Sequence, residues 1–149
     1  MLQLNCNTKT TLKEVDIMCK FGDIIVVNKY VAENGQEIGE HSFIVIDDEG
    51  STISGLEYSF VASVISSFKN NKKKKLSYEG NIELPDDAVK GIKLKKESYV
   101  KADQAFYFNK KKISYYILGS VNDEYYDQLI KLVLNLALKG KLKRYIENL

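Results

Sequence analysis

FGDIIVVNKYVAENGQEIGEHSFIVI (residues 21–46) contains two apolar runs separated by a polar loop, and this stretch indicates the fold. Residues 23–27 follow Gly22 with four apolar side chains in succession, which is typical of a strand buried on both faces. Residues 42–46 form a second run of the same kind. The glycine-containing stretch between them predicts a flexible loop. His41, the only histidine of the chain, stands where this loop enters the second strand.

Further apolar runs predict more strands, and the last segment of the chain changes its period. The strand-like runs are residues 58–68, 78–84, 99–103, 105–108 and 113–119, with charged or irregular loops at 69–75 and 86–97. From Tyr126 to Ala137 apolar residues recur at spacings of three and four, which predicts an amphipathic helix capped by Asn122 and closed by Gly140. Five to seven short strands and one C-terminal helix predict a mainly β α+β protein, a small SH3-like barrel.

Length and composition are those of one small globular domain. The 149 residues fit a single domain, residues 1–149, in which residues 1–20 form a polar N-terminal extension. Leu12, Val15, Ile17 and Met18 in this extension predict either a short helix or a cover over the barrel. No apolar stretch approaches the roughly 18 residues of a membrane helix, and the N-terminus lacks a secretory signal pattern. We therefore expect a cytoplasmic location and no contact with a membrane.

Cysteine and charge content restrict the chemistry. Cys6 and Cys19 have no histidine near them, whereas zinc sites need four closely spaced ligands, so we expect neither a metal nor another cofactor. A cytoplasmic setting argues against a disulfide. The net charge of +2 indicates no particular partner, but the basic residues are all lysines except Arg144. Since lysine contacts phosphate without reading a guanine edge bidentately, lysines would hold a nucleic-acid backbone and other groups would read its sequence.

His41 is the first candidate for chemistry, because histidine is the side chain that exchanges protons near neutral pH. The junction of a loop and a buried strand would hold its ring firmly beside an open groove. The alternative interpretation is an ordinary surface histidine next to Glu40.

The strongest basic run of the chain consists of Lys69, Lys72, Lys73, Lys74 and Lys75. It has two interpretations, a solvated loop or an edge that contacts successive phosphates. Tyr58, Phe68 and Tyr78 are the aromatic residues near enough in sequence to assist the second role by stacking. Lysines at 110–112 are typical of a charged hairpin tip and receive no catalytic role.

Taken in order, these motifs resemble the MazF/PemK family of bacterial toxin endoribonucleases over residues 21–138. In that family a G-[DE]-[IV] strand start precedes a loop bearing glutamate or glutamine with glycine, followed by R-P and an apolar strand. Gly22-Asp23-Ile24 matches the strand start, and Gln36, Glu37 and Gly39 match the loop. His41 stands at the position of the family's catalytic arginine, and Ser42 at that of its proline.

Later elements of the chain continue the resemblance. The family has a threonine a few residues before V-A-A-I-T, and FVASVIS places Ser59 on that threonine. Asp103-Gln104 matches its [DE]-Q pair, although Ala105-Phe106 replaces the isoleucine and arginine that follow. Residues 117–121, ILGSV, resemble the start of the family's last helix.

The resemblance implies metal-independent cleavage of single-stranded RNA. The ribose 2′-OH attacks the adjacent phosphorus, leaving a 2′,3′-cyclic phosphate and a 5′-OH, and the reaction needs a base, a stabiliser of negative charge and an acid. His41 can serve any of these roles, whereas arginine cannot lose its proton. Ser59 would donate a hydrogen bond to a phosphate oxygen. The resemblance also implies a homodimer, a cognate antitoxin protein and RNA contacts from Gln36 and Glu37. For Asp103 and Gln104 it implies RNA contact or a place in the dimer interface, whereas by themselves they are typical of a pair that stabilises a turn at a strand end.

Two alternatives remain open. Loss of the family arginine is consistent with a catalytically weak or inactive module that binds RNA or a protein through its lysine-rich loops. A topoisomerase poison is a third possibility, because the related CcdB barrel has that activity. Active nuclease is the leading hypothesis, since histidine retains proton-transfer chemistry.

Overall fold

The computed structural model describes residues 18–149, which form a curled, mainly antiparallel half-barrel sheet with a C-terminal helix. This confirms the mainly β α+β class that the sequence predicts. The interpretations that concern Cys6, Leu12, Val15 and Ile17 fall outside the described residues.

Thirteen strands and two α-helices are assigned within residues 18–149. The first seven strands are β1 (Asp23–Val27), β2 (Tyr30–Val31), β3 (Glu37–Ile38), β4 (His41–Asp47), β5 (Ser51–Ile53), β6 (Leu56–Tyr58) and β7 (Phe60–Ser67). The rest are β8 (Asn81–Leu84), β9 (Val89–Lys90), β10 (Ser98–Lys101), β11 (Gln104–Phe108), β12 (Tyr115–Val121) and β13 (Lys143–Tyr145). The helices are α1 (Lys72–Leu76) and α2 (Asp123–Leu138), and Asp86–Ala88 forms a 3-10 turn.

The main sheet has the order β13-β11-β7-β4-β1-β12-β9, and β10 joins it by pairing with β7 and β8. Two small hairpins, β2–β3 and β5–β6, lie outside this sheet. β7 is the strand on which the others depend, because β4 pairs along one edge while β10 and β11 share the other edge.

Both faces of the sheet are covered, as the uninterrupted apolar runs predict. We call one the helix face, because α2 packs against it through Tyr125, Leu129, Val133 and Leu136. Asn122 caps α2 as predicted, its Oδ1 accepting a hydrogen bond of 2.8 Å from the Tyr125 amide. Gly140 follows the helix with a φ of 72°, the left-handed conformation that favours glycine at this position. Neither helix of the described chain has the length and hydrophobicity that a membrane crossing requires.

The opposite surface, which we call the aromatic face, is packed with rings. Tyr30 and Phe43 meet edge to face at 4.9 Å between centroids, and Phe43 contacts Phe108 in the same way at 5.2 Å. Phe106 is stacked on Tyr145 of β13 at 4.8 Å. Edge-to-face contacts of this kind add about 0.5–1.5 kcal/mol each beyond the area they bury.

Some elements were not predicted, and long-range contacts explain the two strands of the β2–β3 hairpin. The β2–β3 hairpin replaces the predicted flexible loop, because Tyr30 is buried on the aromatic face and Asn148 holds Val31. Asn148 accepts from the Val31 amide at 2.7 Å and donates to the Val31 carbonyl at 3.0 Å. The run at 69–75, predicted as a loop, contains α1, and the loop at 86–97 contains β9.

Ser63, in the middle of β7, provides a test of this packing. The residue is fully buried, and its hydroxyl has no hydrogen-bond partner among the described residues. We expect Ser63→Ala to raise the free energy of unfolding by about 1 kcal/mol, because an unsatisfied buried polar group costs roughly 1–3 kcal/mol. Urea denaturation measures the change. Ser67→Ala, on the same strand but half-buried, should stay within about 0.5 kcal/mol of wild type. Destabilisation by Ser63→Ala would contradict the description of this site.

Candidate functional site

His41 begins β4 with its ring on the aromatic face, at centroid distances of 6.2 Å from Tyr30 and 6.1 Å from Phe43. The side chain is half-buried, and Nε2 lies 3.0 Å from the carbonyl oxygen of Ile65. Because a carbonyl oxygen can only accept, Nε2 must carry the proton of this hydrogen bond. Nδ1 of the neutral ring is then unprotonated, and it has no hydrogen bond to any residue in 18–149.

The surroundings of His41 favour its neutral form. Burial lowers the pKa of His41 below its ordinary value of 6.5, and the charge of Lys101 lowers it further, while the hydrogen bond to Ile65 and the charge of Glu33 act in the opposite direction. A neutral imidazole with an unprotonated Nδ1 is a proton acceptor at neutral pH. The position is therefore suited to a general base rather than to a source of positive charge.

Ser66 is the next residue of β7 after Ile65, whose carbonyl oxygen contacts the His41 ring. The pairing of β4 with β7 ends at Phe43 and Val64, so Ser66 lies two residues beyond the last paired residue of β7. Val64 belongs to the aromatic face, and the alternation of a strand turns Ser66 to that face as well. On the other edge of β7, Ser66 pairs with Tyr99.

Ser59, predicted to act together with His41, is not brought to it. Ser59 precedes β7 and is separated by six residues of extended chain from Ile65, a distance of about 20 Å. Its hydroxyl accepts a hydrogen bond of 2.9 Å from the amide of Lys110, and its amide donates to the carbonyl of Phe108. The resemblance put Ser59 at the start of the strand, whereas the serine next to Ile65, the residue that contacts His41, comes from its end. The period-two alternation of FVASVIS contains the signal that identifies Ser66.

Lysines of α1 lie at the same end of β7 as His41. Lys75 Nζ is 6.0 Å from the ring centroid of Tyr99, the residue paired with Ser66. Lys72 is neutralised by Glu97 at 2.8 Å and Glu83 at 3.0 Å. We call this region, defined by His41, Ser66, Tyr99, Lys101 and α1, the histidine end of the sheet.

Within the histidine end, the lysines differ in their freedom to meet a ligand. Lys73 and Lys74 are exposed and form no salt bridge with residues 18–149. Lys69 is also exposed, with a left-handed φ of 52° that ends β7 in a turn. The predicted basic run is thus divided into one structural lysine, Lys72, and several that face solvent.

Asp103 and Gln104 connect β10 to β11 at this end. The Asp103 carboxylate is 5% exposed and accepts a hydrogen bond of 2.7 Å from the Tyr78 hydroxyl, which ties the segment after α1 to the sheet. A methyl group added at Gly80 would lie 2.9 Å from Asp103 Cγ, so the close approach requires glycine. Gln104 alternates onto the aromatic face with Phe106, and its Oε1 is buried without a partner in the described chain. Asp103 thus braces the site, while Gln104 retains an unused acceptor.

Gln36 and Glu37 make their contacts inside the β2–β3 hairpin. Glu37 forms an exposed ion pair of 3.3 Å with Lys29. The backbone amide of Gln36 donates to Asn34 Oδ1 at 3.0 Å. The hairpin adjoins the histidine end through Tyr30 and Glu33. The hairpin therefore lies beside the histidine end. The contacts of Gln36 and Glu37 stay within the hairpin and do not reach His41.

Comparisons with protein-family models and with curated proteins give no match to this chain. Among residues 18–149, no three His, Cys, Asp or Glu side chains converge in a way that would hold a metal ion. The functional argument therefore rests on the geometry of the histidine end.

The protonation of His41 can be measured directly, because it is the only histidine of the chain. We expect NMR titration to give a ring pKa below 6.5, and ¹⁵N shifts to show the neutral tautomer with the proton on Nε2. A lowered folded-state pKa means that the unfolded chain binds more protons below about pH 6.5. Stability should therefore fall as pH drops from about 6.5 through the folded-state pKa, and His41→Gln should remove that part of the dependence. A ring pKa above 6.5 would contradict the assignment.

Proposed function

We propose that this chain is a metal-independent endoribonuclease toxin of the MazF/PemK type, which cleaves single-stranded RNA at the histidine end of an SH3-like barrel. The observation that carries the proposal is the His41 ring, whose Nε2–H is fixed on the Ile65 carbonyl and whose Nδ1 is left to accept a proton. Burial and Lys101 keep this nitrogen unprotonated near neutral pH by lowering the pKa of His41.

Three groups of the histidine end match the needs of the reaction. His41 Nδ1 removes the proton from the ribose 2′-OH, whose oxygen attacks the adjacent phosphorus and forms the 2′,3′-cyclic phosphate. Lys101 faces the negative charge that develops on the phosphorane, and the Ser66 hydroxyl donates to a non-bridging oxygen. The bond to the 5′-oxygen breaks, and this oxygen takes a proton from water. Ser66 replaces Ser59 in the role that the resemblance assigned to a hydroxyl.

Binding of the RNA strand is assigned to α1. Lys73, Lys74 and Lys75 present positive charge at the edge of the histidine end, where they would contact successive phosphates. The contact of Gln104 with RNA stays a prediction, because its Oε1 is buried on the aromatic face. The cytoplasmic location, the homodimer and the antitoxin that the resemblance implies belong to this proposal as well.

A binding module without catalysis is the second candidate, and one observation favours it. The family's catalytic position holds His41, and the single arginine of the chain, Arg144, lies on β13 paired with Ala105. No guanidinium therefore occupies the position of the family arginine. Measurement of cleavage separates the two candidates.

Purified protein should cut single-stranded RNA in the presence of EDTA and leave 2′,3′-cyclic phosphate ends. We expect His41→Ala to reduce the rate about 10²–10⁴-fold, because a positioned base contributes this factor. Ser66→Ala should reduce the rate about tenfold to a hundredfold, the value of one hydrogen bond to a charged group. Ser59→Ala is the matched control and should retain wild-type activity. Gel electrophoresis measures each rate, and mass spectrometry identifies the product ends.

Several outcomes would contradict the proposal. Absence of cleavage in the wild-type protein, together with intact RNA binding, would leave the binding module. Equal reductions in Ser59→Ala and Ser66→Ala would contradict the assignment of the hydroxyl. His41→Arg distinguishes a base from a positive charge, and we expect it to remain inactive, because arginine does not give up its proton.

The α1 lysines should appear as salt sensitivity of RNA binding. Joint replacement of Lys73, Lys74 and Lys75 by alanine should lower the slope of log K against log salt concentration by about 0.7 for each phosphate that is no longer neutralised. The matched control replaces Lys110, Lys111 and Lys112, which removes equal charge from the turn beside Ser59. Titration of fluorescent single-stranded RNA at several salt concentrations measures both variants. Equal effects of the two triple variants would assign the slope to net charge alone.

A further inference from the structure

A groove runs between α2 and the end of β4, away from the histidine end. It has a volume of about 490 Å³, and its floor and walls are mainly apolar. The lining includes Phe21, Ile46, Val61, Ile130, Val133 and Leu134.

Two of the apolar side chains are exposed to an unusual degree. Phe21 is 53% exposed and Leu134 58% exposed, although both lie beside buried members of the core. The Tyr126 hydroxyl donates to the Ile46 carbonyl at 2.6 Å, and the Phe21 ring lies 4.8 Å from the ring of Tyr126. These contacts fix α2 against β4, so the groove is formed before any ligand arrives. Exposed apolar side chains in a preformed groove are typical of an interaction site.

The rim of the groove is acidic. Asp47, Asp48 and Glu49 follow one another at the end of β4, and none of them forms a salt bridge with a residue in 18–149. The pKa of Tyr126 is raised to about 12, mainly by burial and further by the negative charges of Asp47, Asp48 and Asp127. The groove therefore combines an apolar floor with a concentration of negative charge, which disfavours nucleic acid and favours a cationic ligand.

We propose that this groove binds a short amphipathic segment of a partner protein, with apolar side chains flanked by lysine or arginine. The apolar side chains occupy the floor between Phe21 and Leu134, and the basic residues face the carboxylates of the rim. Charge complementarity selects this partner over an acidic one, because like charges across an interface are costly. Docking of an amphipathic helix into an apolar groove is a common mode of peptide recognition.

The groove and the histidine end lie at opposite ends of β4. His41 and Asp47 stand six positions apart at the two ends of this extended strand, a distance of about 20 Å. A segment bound in the groove would leave the His41 ring open. The inference is independent of the proposed nuclease activity and stands or fails without it.

The test uses the full-length protein and two fluorescent peptides of equal length, about four helical turns each. One carries leucine at helical spacings of three and four with lysine elsewhere, and its counterpart carries glutamate in place of lysine. Fluorescence anisotropy should show binding of the lysine peptide that weakens with salt, and at least about tenfold weaker binding of the glutamate peptide. Chemical-shift changes in ¹⁵N-labelled protein should centre on Phe21, Asp48 and Leu134.

Variants locate the contacts. Leu134→Asp should weaken binding of the lysine peptide at least about tenfold, as expected for a central anchor. Leu138→Asp is the matched control, since Leu138 lies one turn further on the same helix, is 88% exposed and does not line the groove. Amide replacement of Asp47, Asp48 and Glu49 should remove the salt dependence while keeping the oxygens that accept hydrogen bonds in this turn. Amide replacement of Asp86, Asp87 and Glu147 controls for net charge.

Three results would overturn the inference. Equal binding of the two peptides would remove the charge argument, and equal effects of Leu134→Asp and Leu138→Asp would remove the groove. Concentration-dependent dimerisation that Leu134→Asp abolishes, measured by sedimentation, would assign the groove to a second copy of the chain.

Discussion

Pairing of β7 along both of its edges is the constraint on which the rest of the structure depends. β4 occupies one edge, while β10 and β11 divide the other, so the register of β7 fixes the positions of three strands. Both faces of β7 are buried, and a slip of one residue would exchange the side chains of the aromatic face with those of the helix face. Phe60 and Val64 would then meet α2 in place of Val61 and Ile65. The pairing of β4 with the same strand also brings the His41 ring to the Ile65 carbonyl near the end of β7.

The sequence predicts what local patterns determine, and it misses what distant contacts determine. β1, β4 and α2 have their signals within their own residues, as apolar runs or as a helical period with a cap at Asn122. The β2–β3 hairpin depends on Asn148, 117 residues from Val31, and β13 depends on a parallel partner across α2. For the site, the sequence singled out His41 but indicated Ser59 instead of Ser66. Both serines flank the same apolar run, and only the register of β7 against β4 distinguishes them.

In the proposed reaction, the surroundings of His41 assign two roles to different groups. The roles are proton transfer and stabilisation of negative charge. Burial and Lys101 lower the pKa of His41, so the ring remains a base and gives little positive charge at neutral pH. In the proposed nuclease reaction, charge stabilisation would then come from a neighbouring cation, and Lys101 is a group whose charge acts on the ring. The positive charge of Lys101 makes the His41 ring harder to protonate. In the proposed reaction the same charge would stabilise the phosphorane, which a neutral imidazole cannot do. If the chain is the proposed MazF/PemK-type nuclease, histidine at the position of the family arginine would need such a cation beside it.

A net charge of +2 conceals a separation of charge along the molecule. The lysines of α1 lie at the histidine end, and Asp47, Asp48 and Glu49 lie at the opposite end of β4. The two ends are about 20 Å apart, which exceeds the Debye length of about 8 Å at physiological salt, so each end presents its own field to an approaching ligand. The RNA strand proposed as a ligand would be attracted to one end and repelled by the other, while the proposed basic protein segment would experience the reverse. Separation of charge along β4 would therefore let the two proposed ligands bind one small sheet without competing for the same surface.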